Sequence, residues 1–523
     1  MKFTKDWFLL NGWKKTAPFN ELIQTAESLL LKLGSEKYVE KQLRRDHSQW
    51  LETFELKQNP PALREAISTS CPEEEKNLTK VRQKMKQILS CPVVLDGAIM
   101  PDACPAGGEF AALPVGGIVV TQNEVLPSAH SMDICCSLYA TFYQSDLSIE
   151  EELDSLQQVT RFGPGVRAES ITDDKIYGDI EDILNEEVWS NPFLKGLEKK
   201  AKYHLADQGD GNHFAYLGEV TITNKLIEEL IKSDSTAEQL RDFSNQTLKV
   251  LVTHHGSRGL GATVYTRGMD AALKQTRKKN PDLPEAACWL DLHSKEGQNY
   301  WDALQYVSRW TLTNHRAIHN AFIQQIESEQ LWQIGNEHNF VWKHQGKVFH
   351  AKGATPAWNQ DNGNGAGLLG LIPLNMAEPI LLVRGSANSD YLEFAPHGAG
   401  RNLSRTALLK KFKTQGQFSA TAAQKDIDQK TKHIAVRWYL GQPDVTESPV
   451  AYKNADSVTQ QIEEYHLADI LARITPRGCI MAGRQPKPSE KPLTPKQLRQ
   501  QQQRKSRRKE KQQGWQDQFN SED

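Results

Sequence analysis

The chain has 523 residues, 38% of them hydrophobic and 24% charged, a balance that supports a buried core of ordinary size. No run approaches the ~20 consecutive apolar residues that a bilayer crossing needs, and the start at Met1 has no apolar leader core, so a cytoplasmic protein is expected. The formal net charge of -2 conceals a basic segment, 484–512, with eleven Lys and Arg against Glu490 and Glu510, behind an acidic body. An acidic body argues against simple electrostatic binding of nucleic acid over the whole surface, although bound cations can reverse the local sign.

In chain order, apolar residues at helical spacing predict a helix over 21–33, stopped by Gly34, and another over 73–89, where Val81, Met85 and Leu89 recur every fourth position. Residues 1–90 are expected to form a helical layer packed on the main domain. From Cys91 the pattern changes. Short apolar runs at 117–120, 138–142, 249–252 and 379–384 lie between Gly, Pro and Asp, as strands do. A long helix is expected over 299–325, with Trp301, Leu304, Val307, Ile318 and Phe322 on one stripe. Strands and helices mix without a βαβ period, which points to an α+β domain over 91–483. The tail, 484–523, is too polar to fold alone. It is either a solubilising segment or an arm that grips phosphates in a salt-dependent way.

Seven cysteines, with Cys135 and Cys136 adjacent, suit metal or redox chemistry in a reducing compartment better than a disulfide framework. Asp133 and Cys136, three apart, can reach one cation or two neighbouring ones, and thiolate with carboxylate suits a borderline divalent transition ion. Gly209 to Phe214 places Asn212 and His213 after a glycine turn. His254 and His255 end a predicted strand, so one should reach a site and the other should pack. Ser257 and Arg258, beside glycines, suit phosphate contacts. His338-Asn339 and His350 to Pro356 follow. His397 opens the turn Gly398-Ala399-Gly400-Arg401, where the ring is accessible and Arg401 or Arg405 can steady a phosphate. Any one of these stretches is compatible with a purely structural role.

Together, their order and spelling resemble the RtcB RNA ligases. The matching motifs are Met100-Pro101-Asp102, Asp133-x-x-Cys136, Gly211 to Phe214, His254-x-Gly256-Ser257-Arg258-Gly259, His338-Asn339, Lys352 to Thr355 and His397 to Arg401. The resemblance covers roughly 91–483 and implies an RtcB-like catalytic domain of mixed sheets and surrounding helices. It also implies that Asp133, Cys136, His213, His254 and His338 hold two manganese ions, with Cys136 bridging. His397 is then the nucleophile toward the α-phosphate of GTP. Nucleotide contacts are implied for Asn212, His213, Phe214, His338, Asn339, Pro373, Asn375, Met376, His397, Gly398, Ala399, Gly400 and Arg401. The implied substrate is RNA with broken ends, of transfer or ribosomal type, and an activating protein partner is compatible with the resemblance.

The chain departs from the family around the nucleotide. A Pro-Gly-Ser-Met-Gly loop is replaced by Pro373-Leu374-Asn375-Met376-Ala377, and an acidic residue by Tyr216, with Glu219 as a nearby substitute. A lysine before the last glycine is missing at Ala482-Gly483, and Asp-Val-His becomes Asp102-Ala103-Cys104. A metal-dependent phosphoesterase or nucleotidyl-transfer enzyme with altered nucleotide preference, and a non-catalytic RNA-end-binding protein, are the competing readings.

Overall fold

The computed structural model describes residues 3–484, apart from 52–54, 107–112, 172–173, 179, 278–282, 361–364 and 415–416. The tail expectations therefore lie outside the described residues, except at Arg484.

Two sheets carry the α+β architecture. The larger has the strand order Trp332–Glu337, Ser137–Tyr143, Thr247–His255, Phe214–Thr221, Ala468–Met481, Ile380–Gly385 and Leu369–Pro373, with Ala435–Trp438 paired to Ala468–Met481. The smaller runs Arg64–Glu65, Asp96–Cys104, Val115–Thr121, Lys347–Lys352 and Asn339–His344. Both sheets mix antiparallel ladders with a parallel pair, as the missing βαβ period foretold. The strands of the large sheet's centre read as near-continuous apolar runs because both faces are covered: Ser137–Tyr143 is buried at every position.

The long helix, Lys295–Gln325, covers one face. It begins four residues ahead of the expected start because the Ser294 hydroxyl accepts from the Gly297 amide, a cap worth about 1 kcal/mol. Its buried Trp310 donates an indole N–H to the Ala201 carbonyl at 3.1 Å, so the ring is buried without an orphaned donor. Burying such a ring contributes about 1.5–3 kcal/mol, so packing outweighs the cap in holding this helix.

The two N-terminal helices expected from the sequence have different surroundings. Phe19–Leu33 ends on Gly34, whose φ of 63° is the left-handed cap conformation, and it packs into a core made of Phe3, Phe8, Trp13, Val39 and Leu43. Pro72–Leu89 instead lays Val81, Met85 and Leu89 against Ile99 and Val119 of the small sheet. Gly97 allows that approach, since a Cβ there would sit 2.8 Å from Leu89 Cδ2. Among the described residues no helix is long and apolar enough to cross a membrane.

Candidate active site

The functional side chains gather where the two sheets meet. Trp332–Glu337 belongs to the large sheet and Asn339–His344 to the small one, and His338 is the single residue between them. Its amide donates to the Cys136 carbonyl at 3.0 Å, and its carbonyl accepts from the Gly353 amide at 2.8 Å. Cys136 leads into Ser137–Tyr143, His213 precedes Phe214–Thr221, and His254 lies in Thr247–His255, so three neighbouring strands aim donors at one point. As the strand alternation predicts, His255 turns away and stacks on His315, with ring centroids 3.5 Å apart.

Five donor atoms converge there. Cys136 Sγ lies 3.2 Å from His254 Nε2 and 3.6 Å from His213 Nε2. His213 Nε2 is 2.9 Å from Asp133 Oδ2, and the Nε2 atoms of His254 and His338 are 3.2 Å apart. The donors form two triplets, Asp133–Cys136–His213 and Cys136–His254–His338, each with its ligand atoms within 4.8 Å of one another. Sharing Cys136 makes them adjacent positions with a common sulfur. The backbone is bent to allow this: Cys135 adopts a left-handed φ of 58°, a conformation that costs a non-glycine residue on the order of 1 kcal/mol. Gly256 supplies the remaining room, because a Cβ there would fall 2.0 Å from Asp133 Oδ1.

The electrostatics fit cations. Burial, then the neighbouring His213 and His397, pushes His254 down to about 3, and burial takes His338 well below the usual histidine range, so both rings are neutral ligands at pH 7. Burial pushes the Asp133 carboxyl up, but His213 and hydrogen bonds overcome it and bring it to about 2. Burial and the Asp133 charge hold the Cys136 thiol well above its ordinary value, so a cation must displace its proton to recruit the sulfur. His213 Nδ1 donates to the Gln208 carbonyl at 3.0 Å, which turns Nε2 toward the cluster. Among the described residues, the buried Nδ1 of His338 has no hydrogen-bond partner.

His397 follows the short strand Phe394–Pro396, which pairs with Ala354–Pro356. Its Nδ1 faces two acceptors, Asp102 Oδ2 at 2.5 Å and the Gly353 carbonyl at 2.9 Å, so Nδ1 carries a proton and the lone pair of the neutral ring falls on Nε2. Asp102 is fully buried. The ring centroids of His397 and His338 are 4.8 Å apart, which brings the imidazole beside the donor cluster.

Around these groups opens a cleft of about 790 Å³. Of the residues the resemblance singled out, Asp133, Cys136, Asn212, Phe214, His254, His338, Asn339, Pro373, Asn375, Met376 and His397 to Arg401 line it. His213 reaches the same point through Asp133 and Cys136. Arg401 and Arg405 face the cleft and share the buried Glu447 carboxylate at 3.2 and 2.8 Å, while the Tyr452 hydroxyl donates to it at 2.7 Å. Burial pushes the Lys352 ammonium, also in the cleft, below the ordinary lysine range.

Other expectations are corrected. The Ser257 hydroxyl donates to the Ile134 carbonyl at 2.6 Å, and Arg258 donates to the Gly163 carbonyl beside Asp207; both serve the protein's own backbone and charge rather than the cleft. Glu219 does not stand in for the missing acid, since it pairs with Arg477 at 3.3 Å and does not line the cleft. Tyr216 is buried in the core, its hydroxyl donating to the Ile474 carbonyl at 2.8 Å. Sequence reasoning quoted Asp102 and Lys352 inside motifs without giving them roles. Glu447 and Tyr452 carried no signal, because nothing local marks a carboxylate that binds arginines more than forty residues away.

The family model described as RtcB, tRNA-splicing ligase RtcB, matches residues 179–482. The RNA-splicing ligase RtcB of Escherichia coli K12 is 26% identical over 390 residues, covering 69% of this chain and 84% of the relative. The tRNA-splicing ligase RtcB of Thermococcus kodakarensis is 26% identical over 461 residues, 76% of this chain and 92% of that one. The protein of the same name from Aeropyrum pernix is 27% identical over 449 residues, with 73% and 86% covered.

Proposed function

This chain belongs to the RtcB family, and from that premise we propose that it is an RNA ligase that joins a 3′-phosphate or 2′,3′-cyclic phosphate end to a 5′-hydroxyl end through a histidine–GMP intermediate. The observation that carries the reading is the placement of His397: a free Nε2, a proton held on Nδ1, and a shared-sulfur donor cluster alongside.

Asp133, Cys136 and His213 would hold one manganese ion, and Cys136, His254 and His338 the other. Bound there, the ions supply positive charge against the triphosphate and help orient it. The remaining chemistry belongs to the chain. His397 Nε2 attacks the α-phosphorus of GTP; the N–P bond forms, the bond to the bridging oxygen breaks, and pyrophosphate leaves with that electron pair. Positive charge developing on the ring is stabilised through Nδ1–H by the buried Asp102 carboxylate. An RNA 3′-phosphate oxygen then attacks the same phosphorus, freeing His397 and giving the RNA a GMP leaving group. Attack by a 5′-hydroxyl on the RNA phosphorus seals the strand and expels GMP. A cyclic phosphate is opened by water first. Arg401 and Arg405, paired with Glu447, would add positive charge beside the phosphates in these steps.

Transfer or ribosomal RNA halves offer such ends, and an activating protein partner belongs to the same reading. The free cysteines suit the cytoplasm. The test is incubation with labelled GTP and manganese. An adduct that survives alkali, breaks in acid and disappears in His397→Ala while metal stays bound is the expected result. Release of phosphate from a 3′-phosphorylated RNA without any adduct would favour the phosphoesterase reading. RNA-end binding with neither activity would favour the non-catalytic one.

A further inference from the structure

The His397 cleft is lined by both apolar and cationic side chains. Phe214, Met376 and Met481 form an apolar surface packed with Cys479 and Trp438. Phe214 and Met481 are registered on adjacent strands, and the Phe214 ring stands 5.1 Å from that of His254. Arg401, Arg405 and, from the helix Pro72–Leu89, Lys76 and Lys80 also line the cleft. A nucleoside triphosphate with its phosphates at His397 therefore has cations for its charge and an apolar surface for its base.

Among the described residues, the apolar surface itself carries no carboxylate for a base edge. Guanine is distinguished by donors at N1 and N2, which adenine does not present. Among the described residues lining the cleft, the carboxylates are Glu73, Asp133 and Glu447. Asp133 belongs to the donor cluster, Glu447 is committed to Arg401, Arg405 and Tyr452, and Glu73 lies in the first turn of the lysine-bearing helix. Next to Met376, the Asn375 side-chain oxygen accepts from the Ala377 amide at 2.9 Å. Asn212, exposed beside Phe214, offers an amide that serves either purine by turning over.

We infer that this cleft holds its base by contact with the apolar surface rather than by reading its edge, so that the nucleoside triphosphate is taken with little preference for guanine over adenine. The inference rests on the nucleotidyl-transfer reading of His397 given above. Stacking tolerates any base because each has a π-face. A hydrophobic pocket separates similar ligands by roughly 10–200-fold, whereas a site built to hydrogen-bond one of them reaches roughly 10⁴.

The experiment measures the initial rate of adduct formation by the full-length, manganese-loaded protein with α-labelled GTP and, separately, ATP. A GTP:ATP ratio of kcat/KM below about 100 is expected, and a larger ratio overturns the inference. An adduct with neither nucleotide, in protein that binds manganese, overturns the nucleotidyl-transfer reading itself and is distinguishable from a guanine-only result. Met481→Ala provides a second check. It should raise KM for both nucleotides by the same factor, and a selective loss of one nucleotide would show that its edge is read after all.

Discussion

The donor cluster and the nucleotide-facing wall lie in the same cleft, yet they are built differently. The cluster comes from three paired strands and a one-residue link between sheets, with every donor buried or half-buried and oriented by backbone contacts. The wall comes from the turn 374–378 and from Phe214 and Met481 at the ends of paired strands, and its side chains meet one another through apolar contact. A change in the cluster disturbs both sheets, whereas a change in the wall repacks locally. Chemistry held by strand geometry is therefore the constrained half of this cleft, and recognition held by apolar contact is the half free to vary.

That contrast is broken most sharply at Cys136. In Cys136→Ala both triplets lose their common atom, so metal content should fall at both positions, with adduct formation down by more than about 10³-fold; elemental analysis reading an unchanged content would remove the shared-sulfur assignment. Next comes Asp102→Asn. It keeps the shape beside His397 but removes the negative charge, and should slow adduct formation by roughly 100-fold while metal content stays constant; single-turnover labelling measures the difference.

A pH series sharpens the comparison further. The Cys136 thiol is raised when no cation is bound, so binding must release its proton, and apparent metal affinity should rise with pH by up to about tenfold per unit across pH 6 to 8. Calorimetry in buffers of different ionisation heat would count the proton, and no release would contradict thiolate ligation. The smallest effect is expected from deleting 485–523. RNA binding should weaken a few-fold at low salt and hardly at all at high salt, with adduct formation intact. Binding isotherms at two salt concentrations settle whether the tail is an arm or only a solubilising segment.

Much of this was legible in the sequence, for definite reasons. The strands at 138–142 and 249–252 announced themselves because both faces are covered and the residues are almost all apolar. The helix at 73–89 was marked by its four-residue repeat. The donors were legible only as motifs in order, since no local pattern says that Cys136 and His338 share a backbone hydrogen bond across 200 residues of chain. Ser257 and Arg258 misled because a glycine-flanked hydroxyl and guanidinium look alike whether they meet a phosphate or a backbone carbonyl. Glu447 was silent because its meaning lies wholly in the two arginines and the tyrosine it binds.

His338 works as a clasp. The residue before it is stitched to one sheet and the residue after it to the other, so its imidazole is the one donor whose position depends on both. Sliding one sheet past the other would carry His338 away from His254 and open the second triplet. A cation held between them would resist that slide, and loading the cleft would thereby fasten the two sheets together.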